Sequence, residues 1–359
     1  MQRCGPRRLD AVATLNPGYF ALVMATGILS TAMYHQRAYV LSVGLLWLAG
    51  VAFVVLLCLT VIRIAVFHDE FARDLVDPSR AFGTFTFVAA ADVLGTRLAI
   101  DTHWAVAFAL LAIAWLTWLV LGYLVPWTAA LKTPQRPALR RANGTWFIWI
   151  VASQSIAVLA ATLEPALGQG RRELALLAVF SWSVGVFLYA AVGILVAARL
   201  LIYPLAPQDL TPPYWVAMGA TAITVLAGAR IVEMANAPMV AATRGVVAGT
   251  SVVFWAFGTW LLAPLLGAGI WRHTIHRVPL RYEAPLWSVV FPLGMYAVGS
   301  DYLGQADHLP IVEDIGAVES WVALAVWAVT FAAMLHHLML TIGRLGIEAS
   351  AAEPLPPLH

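Results

Sequence analysis

This sequence is short of charge. Of its 359 residues only 11% are Asp, Glu, Lys or Arg, against 61% hydrophobic, and its mean hydropathy is +0.82. A soluble domain carries about 25% charged residues, so these residues leave no room for a large soluble domain. A net excess of one sign is missing too. The 21 basic and 19 acidic residues leave a charge of +2, which points away from nucleic acid as a partner. Cysteine is nearly absent: Cys4 sits in the N-terminal tail and Cys58 inside an apolar run. Neither a disulfide framework nor a zinc site can be built from that pair. The chain also has no P-loop, no G-x-S-x-G elbow, no dinucleotide fingerprint and no HExxH pair. His336 and His337 are consecutive, so on a helix they point about 100° apart, and no metal site and no cofactor are expected.

What the chain does have is long apolar runs. A membrane span takes about 20 apolar residues, and the runs between breakers predict ten, at about 17–35, 40–66, 79–99, 104–126, 144–163, 173–202, 213–232, 243–271, 285–302 and 315–343. Runs this long, with internal Gly and Pro but few charges, are helices and not barrel strands. The fold class is therefore all-α integral membrane, with a tail at 1–15, a ten-helix transmembrane domain at 16–345 and a tail at 346–359. The polar start and the lack of a small-residue cleavage site after the first run are those of a retained span. Even-numbered runs tend to be longer, and longer spans can tilt, which suits an outer position. Placing the N-terminus inside puts 15 of the 21 basic residues on the cytoplasmic side. The positive-inside rule then predicts a multi-pass protein of the inner or plasma membrane with both termini in the cytoplasm.

The odd-numbered runs share an opening. Each starts with a turn-former or proline and then aromatics: Asn16-Pro-Gly-Tyr-Phe20, Pro78-Ser-Arg-Ala-Phe82, Asn143-Gly-Thr-Trp-Phe147, Pro212-Pro-Tyr-Trp215 and Pro285-Leu-Trp287. From Phe20 through Phe82, Phe147 and Trp215 to Trp287 the separations are 62, 65, 68 and 72 residues, one helical hairpin per interval. Seven residues beyond each anchor stand Gly27, Ala89, Gln154, Ala222 and Gly294, mostly small, as expected where helices approach closely or line a narrow passage. Five equivalent hairpins around an axis would place the odd helices in an inner ring around a central pore.

Ionisable residues inside spans are functional candidates because hydrocarbon makes them costly. Asp92, in Phe-Val-Ala-Ala-Ala-Asp92-Val-Leu-Gly, is either a coupling or gating carboxylate or the partner of Arg97 near the interface. Arg230 and Glu233 are spaced for a local ion pair. Hydroxyls and one amide in the odd runs, including Thr84, Thr86, Gln154 and Thr221, can solvate an ion without trapping it, or can serve as interhelical hydrogen bonds. In Phe291-Pro292-Leu-Gly294 the proline removes a backbone donor. Phe291 beside it is either core packing or a plug that moves.

Two stretches carry a resemblance. Asn16-Pro-Gly-Tyr-Phe-Ala-Leu-Val-Met24-Ala-Thr-Gly27 and Trp287-Ser-Val-Val-Phe-Pro-Leu-Gly-Met-Tyr296 resemble the tellurite-resistance/dicarboxylate transporter family. That family includes bacterial tellurite-resistance channels, fungal malate permeases and sulfite exporters, and plant slow anion channels. The resemblance implies an inner ring of five helices around a pore, commonly within a homotrimer whose subunits each have their own pore. It also implies a gating phenylalanine in the ninth span, carried here to Phe291 with Pro292, with Val289 as the competing position. The path it suggests runs past Phe20, Met24, Gly27, Thr84, Thr86, Gln154, Thr221 and Gly294, and the partners are small anions and membrane lipid. Malate-like dicarboxylates, tellurite, sulfite and inorganic anions all suit such a path. A proton-coupled carrier using Asp92 is the alternative, and a membrane-embedded enzyme is the reading from a different class.

Overall fold

In hydrocarbon every backbone N–H and C=O must be satisfied within the chain, and the apolar runs answer as helices. The computed structural model describes residues 11–131, 137–234 and 237–351. Among these the α-helices are α1 (Ala21–His35), α2 (Tyr39–Val66), α3 (His68–Val76), α4 (Thr86–Ile100), α5 (Trp104–Leu131), α6 (Phe147–Leu163), α7 (Arg171–Ile202), α8 (Val216–Val232), α9 (Pro238–Ile270), α10 (Trp287–Ala306) and α11 (Pro310–Ala351). No strand occurs among the described residues. Apart from the short α3, the helices coincide with the ten expected runs. Eight of the ten are long and apolar enough to cross a membrane. The other two are α1, with 15 residues, and α10, in which Ser288, Ser300, Asp301 and Gln305 dilute the apolar content.

The ten pair as hairpins: α1 with α2, α4 with α5, α6 with α7, α8 with α9, and α10 with α11. The first helix of each hairpin joins a closed ring in which α1 packs on α4, α4 on α6, α6 on α8, α8 on α10, and α10 back on α1. The second helices stand outside. Inner helices run 15 to 20 residues and outer ones 28 to 42. Burial separates the two sets. In the apolar stretches of the spans built on α4, α6 and α8, 78 to 94% of residues are buried, against 11 to 28% in the five outer helices. The outer helices therefore shield the inner ones from lipid, and polar residues on the inner ring find partners in protein.

At its far end α11 continues without a break to Ala351, so no helix end marks the division expected at 345/346. Residues 1–10 and 352–359, with Lys132 and Arg136 from the basic count, lie outside the described residues.

Candidate functional site

The shared openings of the repeats become one structural device. Each inner helix is entered through a single 3₁₀ turn: Pro17–Phe20, Ala81–Phe85, Gly144–Trp146, Pro212–Trp215 and Ala284–Leu286. Short polar side chains fix three of the five starts. Asn16 Oδ1 accepts from the Gly18 N–H at 2.8 Å, Asp77 Oδ1 from the Ser79 N–H at 2.9 Å, and Asn143 Oδ1 from the Thr145 N–H at 2.8 Å. These are turns that Asn and Asp build readily, and proline at the first helical position suits the others. The five turns also close on one another in a ring. The approach is closest at Gly144, where a Cβ would run into the backbone of Pro213 and Tyr214.

The end of the bundle where the inner helices begin is called basal here, and the end where they finish apical. At the basal end the five starts enclose a vestibule of about 220 Å³ lined by every repeat, including Gly18, Ser79, Arg80, Asn143, Thr145, Glu283 and Ser288. Helix N-termini carry partial positive charge and free N–H groups, so five of them converge on this space. Its arginine, Arg80, is held 2.9 Å from Asp74 Oδ1, whose other oxygen lies 2.7 Å from Arg63.

Towards the apical end a second cavity lies among the five inner helices. It is lined by Ile28 and Thr31 of α1, Asp92, Val93 and Thr96 of α4, Ser155, Val158 and Thr162 of α6, Ile223, Leu226 and Arg230 of α8, and Met295, Val298 and Tyr302 of α10. The space open to a water-sized sphere is about 20 Å³, little more than one water needs. Asp92 is fully buried here. Its Oδ2 accepts from Ser155 Oγ at 2.7 Å, and its Oδ1 has no hydrogen-bond partner among the described residues. Arg97 is not its partner. Five residues are about 140° around a helix, and Arg97 turns instead to Asp101 (2.8 Å), Ser30 (3.1 Å) and Ser42 (3.0 Å), with its guanidinium over the Tyr34 ring. Arg230 pairs with Glu233 at 2.9 Å, as the spacing predicts, and lies over Tyr302. The Tyr302 hydroxyl meets His35 Nε2 at 3.2 Å, and His35 Nδ1 lies 2.8 Å from Asp301.

Phe291, on α10, is 1% exposed. Ser288, three residues before it, lines the vestibule, and Met295, four after it, lines the apical cavity. Residues at these spacings share one helix face, so Phe291 is on the axial stripe. By the same register Ala89, Ala152 and Ala220, with Met24 or Ala25, come to this level from the other helices. Pro292 packs against Gly219 of α8, and its missing N–H leaves the Ser288 carbonyl without its helical partner. Val289 lies elsewhere, in a groove on the outside of the ring.

Other residues expected on the path point away from it. Gln154 donates to the Trp182 carbonyl on α7 at 3.2 Å, and Thr221 abuts Gly258 of α9. Phe20 meets Phe53 of α2 and Phe87 edge-on. Each faces an outer or neighbouring helix because an inner helix is wrapped on every side. Gly27 fits against Val93, and Gly294 against Ile28 and Leu29, so both serve packing between ring neighbours. Thr84 bonds back to the Ala81 carbonyl, and Thr86 reaches the Pro17 and Gly83 carbonyls, tying the start of α4 to that of α1. The sequence reading missed Thr31, Thr96, Thr162 and Tyr302 as cavity residues. In α6 the stripe Ser155, Val158, Thr162 carries a helical spacing that could have signalled the face.

Comparison with known proteins agrees with this architecture. An uncharacterized membrane protein of Mycobacterium tuberculosis is 73% identical over 173 residues, 48% of this chain and 88% of that protein. An uncharacterized transporter of Methanocaldococcus jannaschii is 25% identical over 90% of this chain and 93% of its own length. A sulfite efflux pump of Arthroderma otae is 24% identical over 91% of this chain and 92% of its own. The profile of the SLAC1 family, described as voltage-dependent anion channel, matches residues 14–335. With that match spanning the whole helical ring, this multi-pass membrane protein belongs to the SLAC1 family of anion channels.

Proposed function

We propose that this protein conducts small anions across the membrane along the axis of the inner ring, with the Phe291 ring as the gate. The observation that carries the reading is register: Ser288, three residues before Phe291, lines the vestibule and Met295, four after it, lines the apical cavity, and each cavity is lined by all five repeats. An anion at the basal mouth meets converging helix N-termini and the Ser288 hydroxyl, which replace part of its hydration, while the Ser79 and Thr145 hydroxyls already donate to Asp77 and Asn143. The attraction is mild, since Arg80 is already paired with Asp74 and Glu283 faces the same space. A path that binds weakly also releases, as conduction requires. The basic count supports a cytoplasmic basal end in an inner or plasma membrane. The sulfite efflux pumps among the relatives favour oxyanions of that size, with malate-like dicarboxylates and tellurite as further substrates. Each copy in a trimer would hold its own path. The test is a flux panel in proteoliposomes with chloride, nitrate, sulfite and malate. Flux of at least one anion above empty vesicles is expected, and none for any of them overturns the reading.

A second reading rests on Asp92. An ionised carboxylate and an anion in one narrow cavity repel, and a proton on Asp92 removes the repulsion, so a coupled cycle would load the two together. Flux that rises with an imposed proton gradient in the wild type, and loses that dependence in Asp92→Asn, supports coupling. Flux indifferent to the gradient in both refutes it.

A further inference from the structure

Between the outer helices α9 and α11 the shield around the ring is open. A groove of about 600 Å³ lies there, a size typical of ligand sites. Its walls are apolar, formed by Leu265 and Gly269 of α9 and by Val326, Val329 and Ala333 of α11, and its floor is Val289 on the gate helix α10. Residues 325–333 of α11 give the trough a length of about 12 Å at 1.5 Å per residue. Its basal end has a different chemistry: Arg272, His273, Arg281 and Tyr282 all line it.

Arg272 and Tyr282 have donors to spare. Arg272 gives one terminal nitrogen to the Leu210 carbonyl, but its Nε is buried without an acceptor among the described residues, which is costly for a charged donor. His273 donates Nδ1–H to the Val278 carbonyl at 2.8 Å, which in that tautomer leaves Nε2 without a proton. The Tyr282 hydroxyl accepts from Trp287 Nε1 at 3.1 Å and keeps its own proton to donate. Arg281 is exposed and makes no ion pair among the described residues. The nearby acid, Glu283, faces the axial vestibule instead.

We infer that this groove binds an anionic phospholipid of the leaflet at the basal end, its phosphate held by Arg272 and Arg281 and one acyl chain laid between α9 and α11. A cationic head joined to an uncharged trough complements an amphiphile with one anionic end, and basic pockets between membrane helices take such headgroups. A second copy of the chain offers acids at the same end of an apolar helix in Asp69 and Glu70 beyond α2, and these are already paired with His68 and Arg73.

The test titrates the purified full-length protein with phosphatidylglycerol and with phosphatidylcholine of the same acyl chains, read by native mass spectrometry. Phosphatidylglycerol should bind at least about fivefold more tightly, the equivalent of roughly one basic contact at the surface. Arg281→Gln, an exposed position that folding tolerates, should weaken that preference, and Arg272→Gln/Arg281→Gln should abolish it. Arg73→Gln, on exposed α3, should leave it intact. Equal binding of the two lipids, or a preference that survives in the double variant, overturns the inference. So does displacement by excess inorganic phosphate, which would mark a free-anion site. Cross-linking between copies through Val329→Cys, in a background with Cys4 and Cys58 replaced by Ser, would show the groove covered by a second copy and overturns it as well.

Discussion

Replacing Phe291 with Ala distinguishes a gate from a piece of core. To let an anion pass, a ring that is 1% exposed must leave its site, forfeiting roughly 1.5–3 kcal/mol of burial and about 0.5–1.5 kcal/mol of rotamer strain. Opening therefore costs about 2–4.5 kcal/mol, and at about 1.4 kcal/mol per factor of ten its removal should raise anion flux roughly 30- to 1,600-fold. Stability should move less than for an ordinary core position. Phe→Ala in a dry core costs about 3–5 kcal/mol because a cavity remains. Here the vacated space would join the 220 Å³ vestibule and fill with water. The assay is nitrate or chloride flux per reconstituted protein, with Tm in detergent measured alongside. Phe291→Leu should give an intermediate flux, and Phe291→Trp should keep the path shut. Unchanged flux in a folded Phe291→Ala protein that shows the full core penalty would refute the gate.

Other consequences can be checked on the same preparations. Gly144→Ala would push a methyl into the Pro213 and Tyr214 backbone; a loss of about 3 kcal/mol or more is expected, seen as a lowered Tm. Arg97→Leu removes charged hydrogen bonds to Ser30 and Ser42 from a residue that is 1% exposed and should cost about 2–3 kcal/mol, read by tryptophan fluorescence during thermal unfolding. Burial pushes the Tyr282 phenol up to about 12 from the usual 10. The unfolded chain then loses that proton first, so the stability this group contributes is complete below pH 10 and is lost as pH rises through 12. Tyr282→Phe should flatten the fall of Tm over that window, and an identical fall in both proteins would contradict the assignment.

The hairpins and the membership of the inner ring were legible in the sequence, for a physical reason. Apolar runs report depth in the membrane, and an Asn or Pro at each start reports a chain entering a helix from water. Which way a residue faces was much less legible. In a soluble protein polar residues mark the outside, but an inner helix here has no outside. Gln154 and Thr221 look like path residues on composition and yet are turned to α7 and α9. Asp92 is fully buried among the inner helices, whereas its pairing with Arg97 fails on helix rotation alone. Val289 and Phe291 are two residues apart, about 200° around the helix, and only the register of Ser288 and Met295 places one on the axis and the other in the outer groove.

The ring also constrains the order of synthesis. Its last seam joins α10 to α1, the first inner helix made to the final one, so no enclosed passage exists until the fifth hairpin has been inserted. A nascent chain holding four hairpins presents an open arc with polar groups such as Thr31 and Asp92 facing a gap. That arc is completed only when α10 packs back on α1. Closure by the fifth hairpin is thus the step that encloses the axial space.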